Sequence, residues 1–81
     1  MPQGHFSDLV GAMARALVDE PSAVECAEFE GNGSTVVELR VAREDIGKVI
    51  GKAGRTAEAM RVLLGAASQK SGRRVHLDIL D

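Results

Sequence analysis

Tryptophan and tyrosine are absent from this chain of 81 residues, and its aromatic complement is two phenylalanines, Phe6 and Phe29. Both lie outside the glycine-rich stretch of the sequence, so no ring is available there for stacking. The single cysteine, Cys26, excludes an intrachain disulfide and a thiolate zinc site, which fits a reducing, cytoplasmic compartment. No apolar run is long enough to span a bilayer. The N-terminal residues lack a basic segment followed by a continuous apolar one, so a signal peptide is not expected. No Ser/His/Asp or Cys/His set and no cluster of metal-ligating residues is legible, which argues against an enzyme, a metal site and a bound cofactor. A chain this short makes one small domain, residues 1–81, with a limited core.

The net charge is −2, and it is unevenly distributed. Residues 1–39 carry Arg15 against seven carboxylates, whereas residues 40–81 carry nine basic side chains against five acidic ones. The basic set is Arg40, Arg43, Lys48, Lys52, Arg55, Arg61, Lys70, Arg73 and Arg74. An acidic protein polarised in this way can still present one positive face. Two ordinary solvated faces would give the same count.

Phe6, Leu9, Val10, Met13, Leu17 and Val18 recur at helical spacing, which predicts an amphipathic helix over residues 5–19 that stops before Pro21. Residues 23–30 alternate imperfectly: Val24 and Cys26 share one face and Phe29 takes the other. That reads as an edge strand with a bulge or twist. After the turn at 31–34, residues 35–42 alternate cleanly, with Val37, Leu39 and Val41 against Val36, Glu38 and Arg40. A short helix follows over 43–50, with Glu44 and Asp45 suited to its N-terminus. A longer helix runs from about 55 to 70, its inner face Thr56, Ala57, Met60, Leu63, Leu64 and Ala67, and Gly72 ends it. The last strand, 74–80, turns Val75, Leu77 and Ile79 inward and His76 and Asp78 outward. Two helices between the second and third strands let those strands run parallel, whereas the hairpin pair is antiparallel. The expected fold is α+β, in the order α-β-β-α-α-β, with a three-stranded mixed sheet and three helices on one face.

Between the last two helices lies Gly51-Lys52-Ala53-Gly54. Glycine puts no side chain between the backbone amides and an anion, and the following helix N-terminus favours negative charge. Lys52 adds a cation at the tip, with Lys48 and Arg55 on its flanks. Ile46, Val49 and Ile50 can serve as an apolar floor, as core anchors, or as both. An isolated G-x-x-G is usually a plain turn; its place between two helices, with a basic tip, makes it informative here. The spacing of Gly47, Gly51 and Gly54 fits neither a dinucleotide fingerprint nor a nucleoside-triphosphate loop.

Val49-Ile50-Gly51-Lys52-Ala53-Gly54-Arg55-Thr56 resembles the core of a KH RNA-binding domain, Val-Ile-Gly-x-x-Gly. The element order resembles the type II arrangement of bacterial KH domains. With the opening helix ending in Leu17-Val18-Asp19-Glu20-Pro21 and the closing Val-x-Leu-x-Ile strand, nearly the whole chain is similar to the small single-KH proteins of bacteria, the KhpA type. The resemblance implies sequence-tolerant binding of single-stranded RNA, about four nucleotides in a groove beside the G-x-x-G loop. The RNA-contacting set it implies, with the basic and apolar flanks, is Ile46, Lys48, Val49, Ile50, Gly51, Lys52, Ala53, Gly54, Arg55 and Arg40. It also implies an RNA-chaperone role, pairing with a second copy or a larger KH protein, and links to cell division, cell shape and cell-wall growth. On the long helix Ala59, Val62 and Ala66 lie opposite the inner face, and Leu63 borders both; they form an apolar strip suited to a contact between subunits, or are scattered apolar surface residues. The rival reading is a protein-assembly module with a disused loop.

Overall fold

The computed structural model describes residues 5–80, the side chain of His5 excepted; residues 1–4 and 81 lie outside it. Helix α1 spans His5–Leu17, strand β1 Glu25–Glu30, strand β2 Ser34–Arg40, helix α2 Ile46–Ile50, helix α3 Arg55–Gln69 and strand β3 Arg74–Ile79. The expected α+β order is therefore observed. The sheet order is β1-β2-β3, with β2 antiparallel to β1 and parallel to β3. A parallel neighbour needs a crossover, and α2 and α3 provide it.

One face of the sheet meets the helices. Val37, Leu39 and Leu77 from the strands pack with Val10 and Ala14 of α1, Val49 of α2, and Met60 and Leu64 of α3. These positions are the inward half of each strand's alternation and one stripe of each helix, so burial follows from the two periodicities. Leu17, expected on the inner face of α1, is instead 40% exposed. On α3 the inward stripe is Ala57, Met60, Leu64 and Ser68, while Leu63 and Ala67 face out. Ser68 is tolerated inside because its hydroxyl donates to the Gly65 carbonyl at 3.0 Å.

Strand β1 carries no bulge. Its pairing with β2 runs residue for residue from Glu25↔Arg40 to Glu30↔Thr35. The imperfect alternation has another cause. Glu28 occupies an inward position and its carboxylate accepts the backbone N–H of Ser7 at 2.9 Å, in the first turn of α1. A polar residue inside the pattern thus accepts from a backbone donor in the first turn of the helix. Gly72 ends α3 as expected: its φ is 72° and its amide donates to the Ser68 carbonyl at 3.1 Å.

Helix α1 stops short of its expected end at residue 19. The backbone N–H of Glu20 donates to Asp45 Oδ2 at 3.0 Å, and the amide of Asp19 donates to the same carboxylate. Those amides are drawn out of the helix by a residue 25 positions away. Asp45 is 1% exposed. It ends a single 3₁₀ turn, Arg43–Asp45, that runs into α2. Its role is tertiary, and it makes no side-chain cap for α2.

Burial pushes the Asp45 carboxyl upward, but the amides of Glu20 and Asp19 and the Lys48 ammonium outweigh it, and the pKa lies below its ordinary 3.8. A depressed carboxylate stabilises the fold above its unfolded pKa and loses that contribution as pH falls through the folded one. Urea midpoints measured between pH 7 and pH 2 are expected to fall below pH 3.8. Asp45→Asn is expected to start from a lower midpoint at pH 7 and to lose part of that acid dependence.

Candidate nucleic-acid interface

Helix α2 is five residues long, and its last turn closes with the Gly51 amide donating to the Gly47 carbonyl at 2.8 Å. The chain then turns sharply. Gly51 adopts φ 79°, ψ 168°, a region that is in practice restricted to glycine. Packing forbids a side chain there as well: a Cβ on Gly51 would lie 2.8 Å from the Thr56 backbone nitrogen and closer still to the Thr56 side chain. The first turn of α3 therefore sits directly against the Gly51 backbone. Gly54 is also left-handed, at φ 75°, but has open space where a Cβ would be. Its amide donates to the Gly51 carbonyl at 3.0 Å. The two glycines thus answer different needs, close approach at Gly51 and backbone conformation at Gly54.

Between them, Ala53 takes φ 57°, ψ 24°. A left-handed alanine costs roughly 1–2 kcal/mol, and the turn holds it there. The Arg55 amide donates to the Lys52 carbonyl. The amides of Gly51, Gly54 and Arg55 are thus committed within the chain. The two remaining loop amides belong to Lys52 and Ala53, both exposed residues at the crest of the turn. Helix α3 has no side-chain cap at its N-terminus.

The basic residues divide by occupation. Lys52 and Arg55 are exposed, and among the described residues no carboxylate lies within ion-pair distance of either. Lys48 is different. Its ammonium lies 3.1 Å from Asp19 Oδ2 and 3.4 Å from Asp45 Oδ1. Hydrogen bonds to those two carboxylates, Asp19 first, raise its pKa above 10.5. It ties α2 to the segment after α1 and is a fold residue first. The pair with Asp45 has i,i+3 helical spacing and was open to detection in the sequence; the partner Asp19 was not.

The apolar residues divide as well. Val49 is fully buried and belongs to the core, so it offers no floor to a base. Ile46 is half-buried and packs against that core. Ile50, 39% exposed beside the turn, is the apolar side chain in reach of a ligand. Arg40 lies with Val36 and Glu38 on the helix-free face of the sheet, opposite the layer that carries the loop. It lines a shallow cavity of about 220 Å³ with Glu25 and Glu38, a setting that repels phosphate. The structure thus brings together Ile50, Gly51, Lys52, Ala53, Gly54 and Arg55, and sets Lys48, Val49 and Arg40 apart.

Arg73, one of the basic residues of the second half of the chain, is half-buried. Its Nε donates to Thr35 Oγ1 at 2.9 Å and its Nη2 to the Ser34 carbonyl at 2.9 Å, with Glu30 Oε1 3.9 Å away. It clamps the β1–β2 turn. No sequence spacing links residue 73 to that turn; only the parallel pairing of β3 with β2 does. Cys26 packs against the core, and burial pushes its thiol up to about 11, so it is unreactive near neutral pH.

A family model described as "KhpA/KhpB, KH domain" matches residues 7–79. RNA-binding protein KhpA of Caldanaerobacter subterraneus subsp. tengcongensis is 52% identical over 75 residues, covering 93% of this chain and all of that protein. The proteins of the same name from Borreliella burgdorferi and Treponema pallidum are 46% and 49% identical. The alignments cover 96% and 91% of this chain and 95% and 92% of theirs. Among solved structures, Aquifex aeolicus Era bound to GDP and aluminium fluoride superposes with a TM-score of 0.64 at 23% identity, over 98% of this chain and 31% of that longer one. Era in complex with MgGDPNP and a segment of 16S ribosomal RNA gives 0.63 at 21%, over 91% and 28%. At that identity the likeness is one of fold.

Gly51→Ala combines a forbidden backbone region with overlap against Thr56, and is expected to lower stability by about 3 kcal/mol or more. Gly54→Ala meets only the backbone cost and is expected to lose about 1 kcal/mol. Chemical denaturation of the two variants checks the order; equal losses would mean that the approach to Thr56 is not what fixes Gly51.

Proposed function

The chain belongs to the KhpA/KhpB family of KH domains, a family of RNA-binding proteins rather than enzymes, and on that footing we propose that it holds short single-stranded RNA against the turn at residues 51–54. The observation that carries this reading is the crest of that turn. Lys52 and Ala53 are exposed, their neighbours' amides are already paired, and Lys52 and Arg55 have no carboxylate partner among the described residues. A phosphate at the crest meets two cations and the uncapped end of α3. Ile50 offers the adjacent apolar contact. With no ring beside the turn, base contacts are weak and sequence-tolerant, which suits a chaperone-like binder.

A second surface supports self-association, or pairing with another KH protein. Val62 and Leu63 are 61% and 52% exposed on α3, with Ala59 and Ala66 beside them. Burying this strip against a copy of itself would give a two-fold dimer with two RNA-binding turns, and linkage of two weak sites raises affinity. A cytoplasmic setting suits this reading. Among the described residues no helix is long and apolar enough to cross a membrane. Roles in cell division, cell shape or cell-wall growth would act through the RNAs bound.

Replacing Lys52 and Ala53 together by Asp is expected to abolish binding of a labelled oligoribonucleotide of about four nucleotides, the length of one loop groove, in fluorescence anisotropy, while circular dichroism stays native-like. Retained affinity in that variant would remove the turn from the mechanism. In the wild-type chain, two neutralised phosphates predict a slope of about −1.4 for log K against log salt. A flat response would favour the assembly-module reading. Leu63→Glu is expected to shift sedimentation towards monomer without altering the fold.

A further inference from the structure

The helix-free face of the sheet has no role in this mechanism, yet it is not uniformly polar. Three of its residues lie in one cross-strand row: Phe29 of β1 pairs with Val36 of β2, and Val36 with His76 of β3. Phe29 is 54% exposed, so a chain with only two aromatic residues places one of them in solvent. His76 is exposed and Val36 half-buried between them. Adjacent strands are about 4.8 Å apart, which sets the two rings about 10 Å from one another across Val36. Two residues back from His76, Arg74 is exposed on the same face, and among the described residues no carboxylate lies within ion-pair distance of it.

Charge on this face is polarised along the strands. The row beside the hairpin turn carries Arg74 opposite Ser34, and the next is the Phe29–Val36–His76 row. One row further on come Glu38 and Asp78, and beyond them Glu25 opposite Arg40. A ligand that placed flat apolar groups on Phe29 and His76 and its negative charge towards Arg74 would meet a matching surface. The apolar part is two side chains wide, far below the roughly 800 Å² per partner of a stable protein interface, but sufficient for a nucleobase.

We infer that the Phe29–Val36–His76 row is a second contact for single-stranded RNA, distinct from the turn at 51–54, in which bases stack on Phe29 and His76 and a phosphate meets Arg74. The inference rests on the RNA-binding reading above and adds a site to it. A strand long enough to reach both sites gains by their linkage.

The test uses the full chain, with labelled uridine oligomers of about four nucleotides, enough for one loop groove, and about sixteen. Phe29→Ser is expected to lower affinity for the long oligomer about 5- to 150-fold and to leave the short one unchanged. His76→Ala should act in the same direction by less. Both positions are exposed, and native-like circular dichroism verifies the fold. Affinity of Phe29→Ser for the long oligomer equal to that of the wild type overturns the site. So does a change in sedimentation with RNA affinity unaltered, which would make the face a protein contact. The Lys52→Asp, Ala53→Asp variant separates the two readings. Residual binding of the long oligomer alone supports the second site. Unchanged binding of both oligomers sinks the loop reading and leaves the sheet row to be judged on Phe29→Ser.

Discussion

The backbone of Gly51 lies against the first turn of α3 with no room for a methyl group between them. Everything the candidate site offers depends on that approach. It forces the chain to reverse within four residues, lifts Lys52 and Ala53 to the crest, and starts α3 without a side-chain cap. Gly51, Ala53 and Gly54 all have positive φ, a side of backbone space that costs energy for any residue but glycine, so the turn is held by its surroundings. Its support comes from below: Val49 is anchored in the core and Lys48 is drawn to Asp19 and Asp45. These contacts fix the position of the short helix that leads into the turn. A loop already shaped before it meets RNA avoids part of the ordering cost of association.

Most of the architecture was legible in the sequence because its periodicities are strong. The alternation of Val37, Leu39 and Val41, the helical recurrence through α1 and the glycine after α3 each specify an element by a local rule. What escaped has a common cause. Asp45, Glu28 and Arg73 look like surface charges in the sequence, and each is instead a partner of backbone groups more than twenty residues away. No local pattern encodes such a bond; it exists only once the sheet has brought the segments together. Of the bulge or twist expected in β1, the bulge was a misreading of Glu28, an inward residue whose polarity broke the alternation. Leu63, read as bordering both faces of α3, lies on the outer one, because the buried stripe is narrower than an apolar count suggests.

The candidate site shows the same division. The G-x-x-G spacing, the basic tip and the flanking helices could be read directly. Which neighbours share the surface with them could not. Lys48 and Val49 lie in the motif by sequence, but the turn of α2 directs one into an ion pair and the other into the core. Arg40 follows the alternation of β2 onto the far face. Six contiguous residues, from Ile50 to Arg55, make up the surface, and its positive charge is local to an otherwise acidic molecule.

The Arg73 clamp has a consequence for the order in which the molecule can be completed. The β1–β2 hairpin is braced by a guanidinium that follows it by some forty residues, and the parallel strand beginning at Arg74 is the last of the described strands to be made. During synthesis on the ribosome the first two strands and the G-x-x-G helices emerge before their brace. The sheet therefore closes only when almost all of the described chain is free of the exit tunnel, late and from the far end. Non-local closure of this kind slows folding relative to a helical bundle of equal length. Until then the edge of β2 that pairs with β3 stays open, and that interval is when a nascent chain is most exposed to wrong partners.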